Sequence, residues 1–158
     1  MTDFSLDGRT VTAEAGESIW QAARRAGIAI PHLCATPQPG YRADGNCRVC
    51  MVEIEGERDL VASCMREPSD GMVVNSAGHR ATKAREMVME LLLTDQPSDG
   101  DSELRRWAKT MGVTESRFPA REATESDTSH PAMAVNLDAC IQCTRCVRAC
   151  REIQVNDV

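Results

Sequence analysis

The eight cysteines of this 158-residue chain fall into two tight groups, and no other feature restricts its folding as strongly. Cys34, Cys47, Cys50 and Cys64 follow C-x12-C-x2-C-x13-C; Cys140, Cys143, Cys146 and Cys150 follow C-x2-C-x2-C-x3-C. Thiolates spaced in these ways hold iron–sulfur clusters, so the fold must gather sulfurs that lie far apart in sequence, and the expected role is electron transfer. Two Trp, one Tyr and two Phe are the only aromatic residues. The core is therefore left to Ala, Val, Ile, Leu and Met, a modest core of the kind that a metal staple completes.

Charge and hydropathy exclude several roles. A net charge of −6 disfavours nucleic acid or an anionic membrane as partner. Met1-Thr2-Asp3-Phe4 lacks the basic start and apolar run of a secretory signal. The apolar stretch from Met87 to Leu93 is interrupted by Glu90 and is too short to span a bilayer. A cytoplasmic location is expected, where eight cysteines serve as metal ligands more readily than as disulfides. The chain shows no G-x-G-x-x-G, no P-loop and no nucleophile–base pair, so no catalytic residue is expected within it.

Three segments are expected: an α+β domain over 1–78, a helical segment and polar linker over 79–134, and a cysteine-rich segment over 135–158. Phe4 to Leu6, Asp7-Gly8, then Thr10 to Ala13 predicts a hairpin closed by a type I′ turn. A helix follows from about Glu17, with Ile19, Ala22, Ala23 and Ala26 on one face; Gly27 is placed to end it and Pro31 to prevent its continuing. Val49 to Glu55, Leu60 to Ser63 and Met72 to Val74 read as strands. Two hairpins around one helix predict a β-grasp arrangement. A second helix begins near His79 and ends before Pro97, and a third runs from Glu103 to Met111, ended by Gly112. Val113 to Pro131 has no period and reads as a linker or surface arm.

In the first group, Gly45 of Asp44-Gly45-Asn46-Cys47-Arg48-Val49-Cys50 gives the loop the freedom to turn backbone N–H donors toward an anionic cluster. Cys47 and Cys50 are expected to share one iron through the short CxxC bite, with Cys34 and Cys64 completing a four-thiolate [2Fe–2S] site. Zinc and disulfides are the alternatives, since four cysteines also make a closed tetrahedral site and a zinc-stabilised interaction module. His32, two residues before a ligand, reads as a packing histidine more readily than as a modulator of the cluster.

Ile30-Pro31-His32-Leu33-Cys34 and Asp44-Gly45-Asn46-Cys47-Arg48-Val49-Cys50-Met51-Val52-Glu53-Ile54 resemble the N-terminal ferredoxin domain of one redox family. That family includes the large iron–sulfur subunit of NADH dehydrogenase, diaphorase and iron-hydrogenase subunits, and the catalytic subunit of NAD-dependent formate dehydrogenases. The resemblance covers roughly Thr10 to Leu93 and resumes at Val135. It implies a β-grasp [2Fe–2S] ferredoxin-like domain, a helical linker and the start of a bacterial-type [4Fe–4S] ferredoxin domain.

Asn136 to Cys150 is similar to the first half of a two-cluster bacterial ferredoxin. In that pattern Cys140, Cys143 and Cys146 bind one [4Fe–4S] cluster and Cys150 a neighbouring one. Both clusters then lack ligands within 158 residues, so a longer subunit or a partner is expected to supply the rest; the alternative is that all four bind a single cluster. Many family members carry a further [4Fe–4S] site held by one His and three Cys. The corresponding stretch here, Leu93 to Ser102, contains neither residue. No cluster is expected there, which argues against a respiratory NADH dehydrogenase subunit.

Gly112 to Pro119, Ser129 to Met133 and Cys150 to Val158 resemble the connecting segments of the formate dehydrogenase subunit. That resemblance implies NADH- or flavin-binding diaphorase-type subunits as partners, and a molybdenum or tungsten pterin held outside these residues. The alternative within redox chemistry is a diaphorase, NADH dehydrogenase or hydrogenase iron–sulfur subunit.

Overall fold

The computed structural model describes residues 1–96 and 100–155, so Pro97 to Asp99 of the ligand-free stretch and Asn156 to Val158 of the terminal resemblance lie outside it. The chain forms two compact units, one of Met1–Arg85 together with the chain from Thr144 onward, the other of Glu86–Cys143.

In the first unit, β1 (Thr2–Leu6) and β2 (Arg9–Ala13) form the expected hairpin, with Phe4 opposite Val11. Asp7 (φ 51°) and Gly8 (φ 78°) both adopt the left-handed backbone that a type I′ turn demands. Alternation puts Phe4, Leu6, Val11 and Ala13 on the buried face. Strands β3 (Met51–Ile54), β4 (Val61–Ala62) and β5 (Val73–Asn75) complete a sheet of order β2-β1-β5-β3-β4. Only β1 and β5 run parallel, pairing Ser5 with Val73. This is the β-grasp arrangement anticipated above: a mixed sheet whose core residues pack with Ile19, Ala22 and Ala23 of α1 (Ile19–Arg25).

Helix α1 starts at Ile19, where its apolar stripe begins and two residues after the expected Glu17, because Ser18 caps it. The Gln21 N–H donates to Ser18 Oγ at 3.3 Å and the Ser18 N–H donates to Gln21 Oε1 at 2.8 Å, a reciprocal box worth roughly 1 kcal/mol. It ends as predicted. Gly27 takes φ 73°, its N–H donates to Arg24 O at 3.1 Å, and that of Ile28 donates to Ala23 O at 2.8 Å.

Helix α2 spans His79–Asp95 and α3 Glu103–Met111, the latter capped by Ser102 and closed by Gly112 at φ 75°. The stretch read as a featureless arm contains a small hairpin instead. Strand β6 (Asp127–His130) pairs antiparallel with β7 (Met133–Val135), and every one of these residues is exposed. No apolar alternation signals such strands, because their pairing rests on backbone hydrogen bonds and the Pro131-Ala132 turn. In the first unit a four-residue helix, α4 (Arg145–Arg148), carries Cys146. It passes into a single π turn over Ala149–Ile153. Among the described residues no helix is long and apolar enough to cross a membrane.

Candidate metal centre

Three loops of the first unit converge on one buried place. Cys34 follows α1 through a turn anchored by Ile30 and Leu33, both buried. Cys47 and Cys50 precede β3, and Cys64 follows β4. The N-terminus of α1 supplies part of the anchorage: the backbone N–H groups of Ile19 and Trp20 donate to the carbonyls of Arg66 (2.8 Å) and Ser63 (3.0 Å). Helix donors left without an intrahelical partner thus hold the Cys64 turn. Ser63 then ties that turn to Cys50, donating to the Cys50 carbonyl from Oγ at 2.8 Å and from its N–H at 3.1 Å. His32 packs edge-on against Trp20, ring centroids 4.8 Å apart, with Nδ1 3.0 Å from the Ile30 carbonyl oxygen. It is a packing histidine.

All four thiols are free and buried. They are joined in a chain of hydrogen bonds running Cys47–Cys34–Cys64–Cys50. The arrangement separates acceptors from donors. Hydrogen bonds from Cys47 and Cys64 pull the Cys34 thiol down to about 2, and the bond from Cys64 draws Cys50 down to about 7. Donating to Cys34, and burial, push Cys47 up; Cys64 is pushed up by donating to both Cys34 and Cys50. Arg48, between the CxxC cysteines, takes a left-handed conformation (φ 57°). Among the described residues no three or more His, Cys, Asp or Glu side chains converge on a position for a single ion. Four gathered thiols suit a two-iron group, in which each iron takes two thiolates.

Backbone donors also face the sulfurs. The Cys34 N–H donates to Cys47 Sγ at 3.4 Å, and backbone bonds from Val49 and Asn46 reach Cys47 and Cys34 respectively. Gly45 takes φ 65°, and a Cβ there would lie 2.5 Å from Met65 Cγ. Soft thiols, burial and inward N–H donors together fit an anionic iron–sulfur group.

The second cysteine group is placed differently. Cys140 is exposed and Cys143 half-buried in the second unit, whereas Cys146 and Cys150 are exposed in the first. Within the second unit the approach to Cys140 is anchored at Asp138, whose buried carboxylate accepts from Arg121 at 2.7 Å and from the Thr124 N–H at 3.0 Å. Both donors come from the stretch read as a linker.

Arg148 went unnoticed in the sequence. Its side chain is fully buried in the first unit, and Nη2 donates to the carbonyl of Cys34 at 2.6 Å. Nothing in the local pattern singles it out, since arginines at positions 145, 148 and 151 read as a solvated face.

The sequence and the fold both have counterparts among known proteins. Residues 1–79 match the family described as the 2Fe-2S iron-sulfur cluster binding domain. The chain is 37% identical over 161 residues to the mitochondrial NADH-ubiquinone oxidoreductase 78 kDa subunit of Candida albicans, covering 96% of this chain and 22% of that protein. It is 34% identical over 165 residues to the NADP-reducing hydrogenase subunit HndD of Solidesulfovibrio fructosivorans, covering 98% and 28%. The chain therefore spans only about a quarter of the length of these curated relatives. Among solved structures, an NAD+-reducing [NiFe]-hydrogenase in the H2-reduced state superposes with a TM-score of 0.82 at 33% identity, covering 94% of this chain and 65% of that one.

Proposed function

The chain belongs to the 2Fe-2S iron–sulfur cluster binding family, and on that premise we propose that its first unit is a one-electron relay whose [2Fe–2S] group is held by Cys34, Cys47, Cys50 and Cys64. The observation that carries this reading is the burial of those four free thiols, drawn from three loops of one unit. When bound, such a group supplies one-electron chemistry. The protein's part is to keep water out, with four sulfurs at most 7% exposed by residue, and to orient N–H donors onto sulfur.

By the same reading Cys140, Cys143 and Cys146 hold a [4Fe–4S] group and Cys150 serves a neighbouring one. The relay then works inside a multisubunit NAD-linked dehydrogenase, with NADH- or flavin-binding subunits as partners. We assign that enzyme to the formate dehydrogenase type, whose molybdenum or tungsten pterin would be held outside these residues. This finer assignment is supported by the absence of His and Cys from the sequence between Leu93 and Ser102. A hydrogenase relay is the second reading, favoured by the similarity to the NAD+-reducing [NiFe]-hydrogenase.

Iron and sulfide analysis with EPR on anaerobically purified, reduced protein tests the proposal. A rhombic signal that persists at relatively high temperature, with at least about two irons and two sulfides per chain, is expected. Colourless protein containing zinc and no sulfide would sink it.

A further inference from the structure

We propose that Arg148 is a positioning and charge-setting residue of the first centre, fixing the Cys34 turn and favouring the form of the centre that carries the extra electron. This inference rests on the [2Fe–2S] reading above. A fully buried arginine is rare and must be paired. Here the guanidinium is held on several sides within the first unit. Nη2 donates to the Cys34 carbonyl at 2.6 Å and Nη1 to the carbonyl of Arg42. Nε lies 3.3 Å from both Thr144 Oγ1 and Asp44 Oδ2, and the group sits over the Tyr41 ring, 5.6 Å from its centroid. Thr144 Oγ1 also donates to Asp44 Oδ2 at 2.7 Å. Arg145 adds a weaker contact to the carbonyl of Leu33 at 3.4 Å.

Two consequences follow from one placement. The turn presenting the Cys34 sulfur is clamped at the carbonyl of the ligand residue itself, by a side chain distant in sequence. A fixed positive charge is also buried against the backbone of the residue that bears that sulfur, where the low local dielectric strengthens its reach. Reduction adds one negative charge, so Arg148 favours it, and Asp44, the carboxylate beside Arg148, opposes it. Charge at this place moves a potential; packing alone does not give it a sign.

The test is an EPR-monitored dithionite titration of the full 158-residue chain, reconstituted anaerobically with iron and sulfide. Each centre takes one electron from dithionite, one ferric ion becoming ferrous with no atom gained or lost. Arg148→Met, which keeps much of the bulk against Tyr41, is expected to lower the midpoint by about a tenfold change in the reduction equilibrium, 59 mV for a one-electron couple. Asp44→Asn keeps an acceptor for Thr144 and is expected to raise it. Arg148→Lys keeps the charge and is expected to fall between the parent and Arg148→Met. Parent midpoints in both Arg148→Met and Asp44→Asn, or shifts of the same sign in both, would overturn the inference. Should Arg148→Met fail to fold, Asp44→Asn decides alone, and an unmoved or lowered midpoint there overturns it. A parent chain without the rhombic signal would remove the [2Fe–2S] reading itself, an outcome distinct from a signal whose midpoint does not move.

Discussion

Glu53 on β3 accepts the backbone N–H of Ala81 at 3.0 Å on the same oxygen, Oε1, that accepts the N–H of Arg80 at 2.8 Å. The first turn of α2 is therefore closed by a carboxylate from the sheet, which satisfies two orphan donors and faces the positive end of the helix. Glu53→Ala is expected to cost about 1–2 kcal/mol in urea unfolding, and Glu53→Gln about half as much because its amide oxygen can still accept both N–H groups while the charge is lost. Equal stabilities of all three proteins would show that the contact carries no net energy. Gly78→Ala should mimic the loss, since its Cβ would come 2.2 Å from Glu53 Oε1.

Gly45→Ala tests the loop that carries Cys47. Its φ of 65° costs an L-residue about 1 kcal/mol, and the new Cβ would collide with Met65 Cγ. Met65 is 54% exposed and can swing away, so the collision is relieved cheaply while the backbone strain is not. The expected outcome is lower sulfide content and a lower urea midpoint, with only partial recovery in Gly45→Ala/Met65→Ala. Complete recovery in the double variant would assign the whole effect to the collision.

These two contacts mark what the sequence could and could not disclose. The β1–β2 hairpin, both ends of α3 and the C-terminus of α1 were legible because each depends on a local rule: Asp-Gly for a type I′ turn, apolar period, glycine at a helix end. The first cysteine group was legible as a set because thiols at that spacing have few other uses. Contacts such as Glu53 with α2, or Arg148 with the Cys34 carbonyl, join residues 28 and 114 positions apart, beyond any local period. The β6–β7 hairpin was missed for the opposite reason, having no buried face to leave a pattern.

Cys47→Ser is expected to abolish the visible absorbance and rhombic EPR signal of the first centre and to lower thermal stability. Cys150→Ser should leave that signal unchanged, and iron content separates the readings of the second group. About two irons per chain would mean that only the first centre assembles in these residues, and about six that the last four cysteines complete a [4Fe–4S] group. Removing iron from the parent with a chelator should lower its midpoint of thermal unfolding, because a ligand that binds only the folded form stabilises it.

The Glu17–Arg25 pair gives a pH dependence with a definite sign. Hydrogen bonding from Arg25, at 2.7 Å, holds the Glu17 carboxyl below its ordinary 4.5. A depressed folded value contributes stability above the unfolded pKa, and that contribution is lost as pH falls through the folded value. Glu17→Gln should therefore be slightly less stable than the parent at neutral pH, the effect being small because solvent screens the exposed Arg25. The difference should close as pH falls well below 4.5. Urea midpoints at the two pH values measure this, and a gap that stays constant would exclude the ionised pair as its source.

The parallel strand β5 lies between β1 and β3 in the sheet, although in the chain it follows every cysteine of the first group. A ribosome therefore releases all four thiols before it releases the strand that joins the two halves of their scaffold. During that interval Cys34 to Cys64 are carried by separate loops with no closed sheet beneath them, open to oxidation or to a competing metal. A chain stalled before Val73 would hold all four thiols and lack the strand that joins the two halves of the sheet.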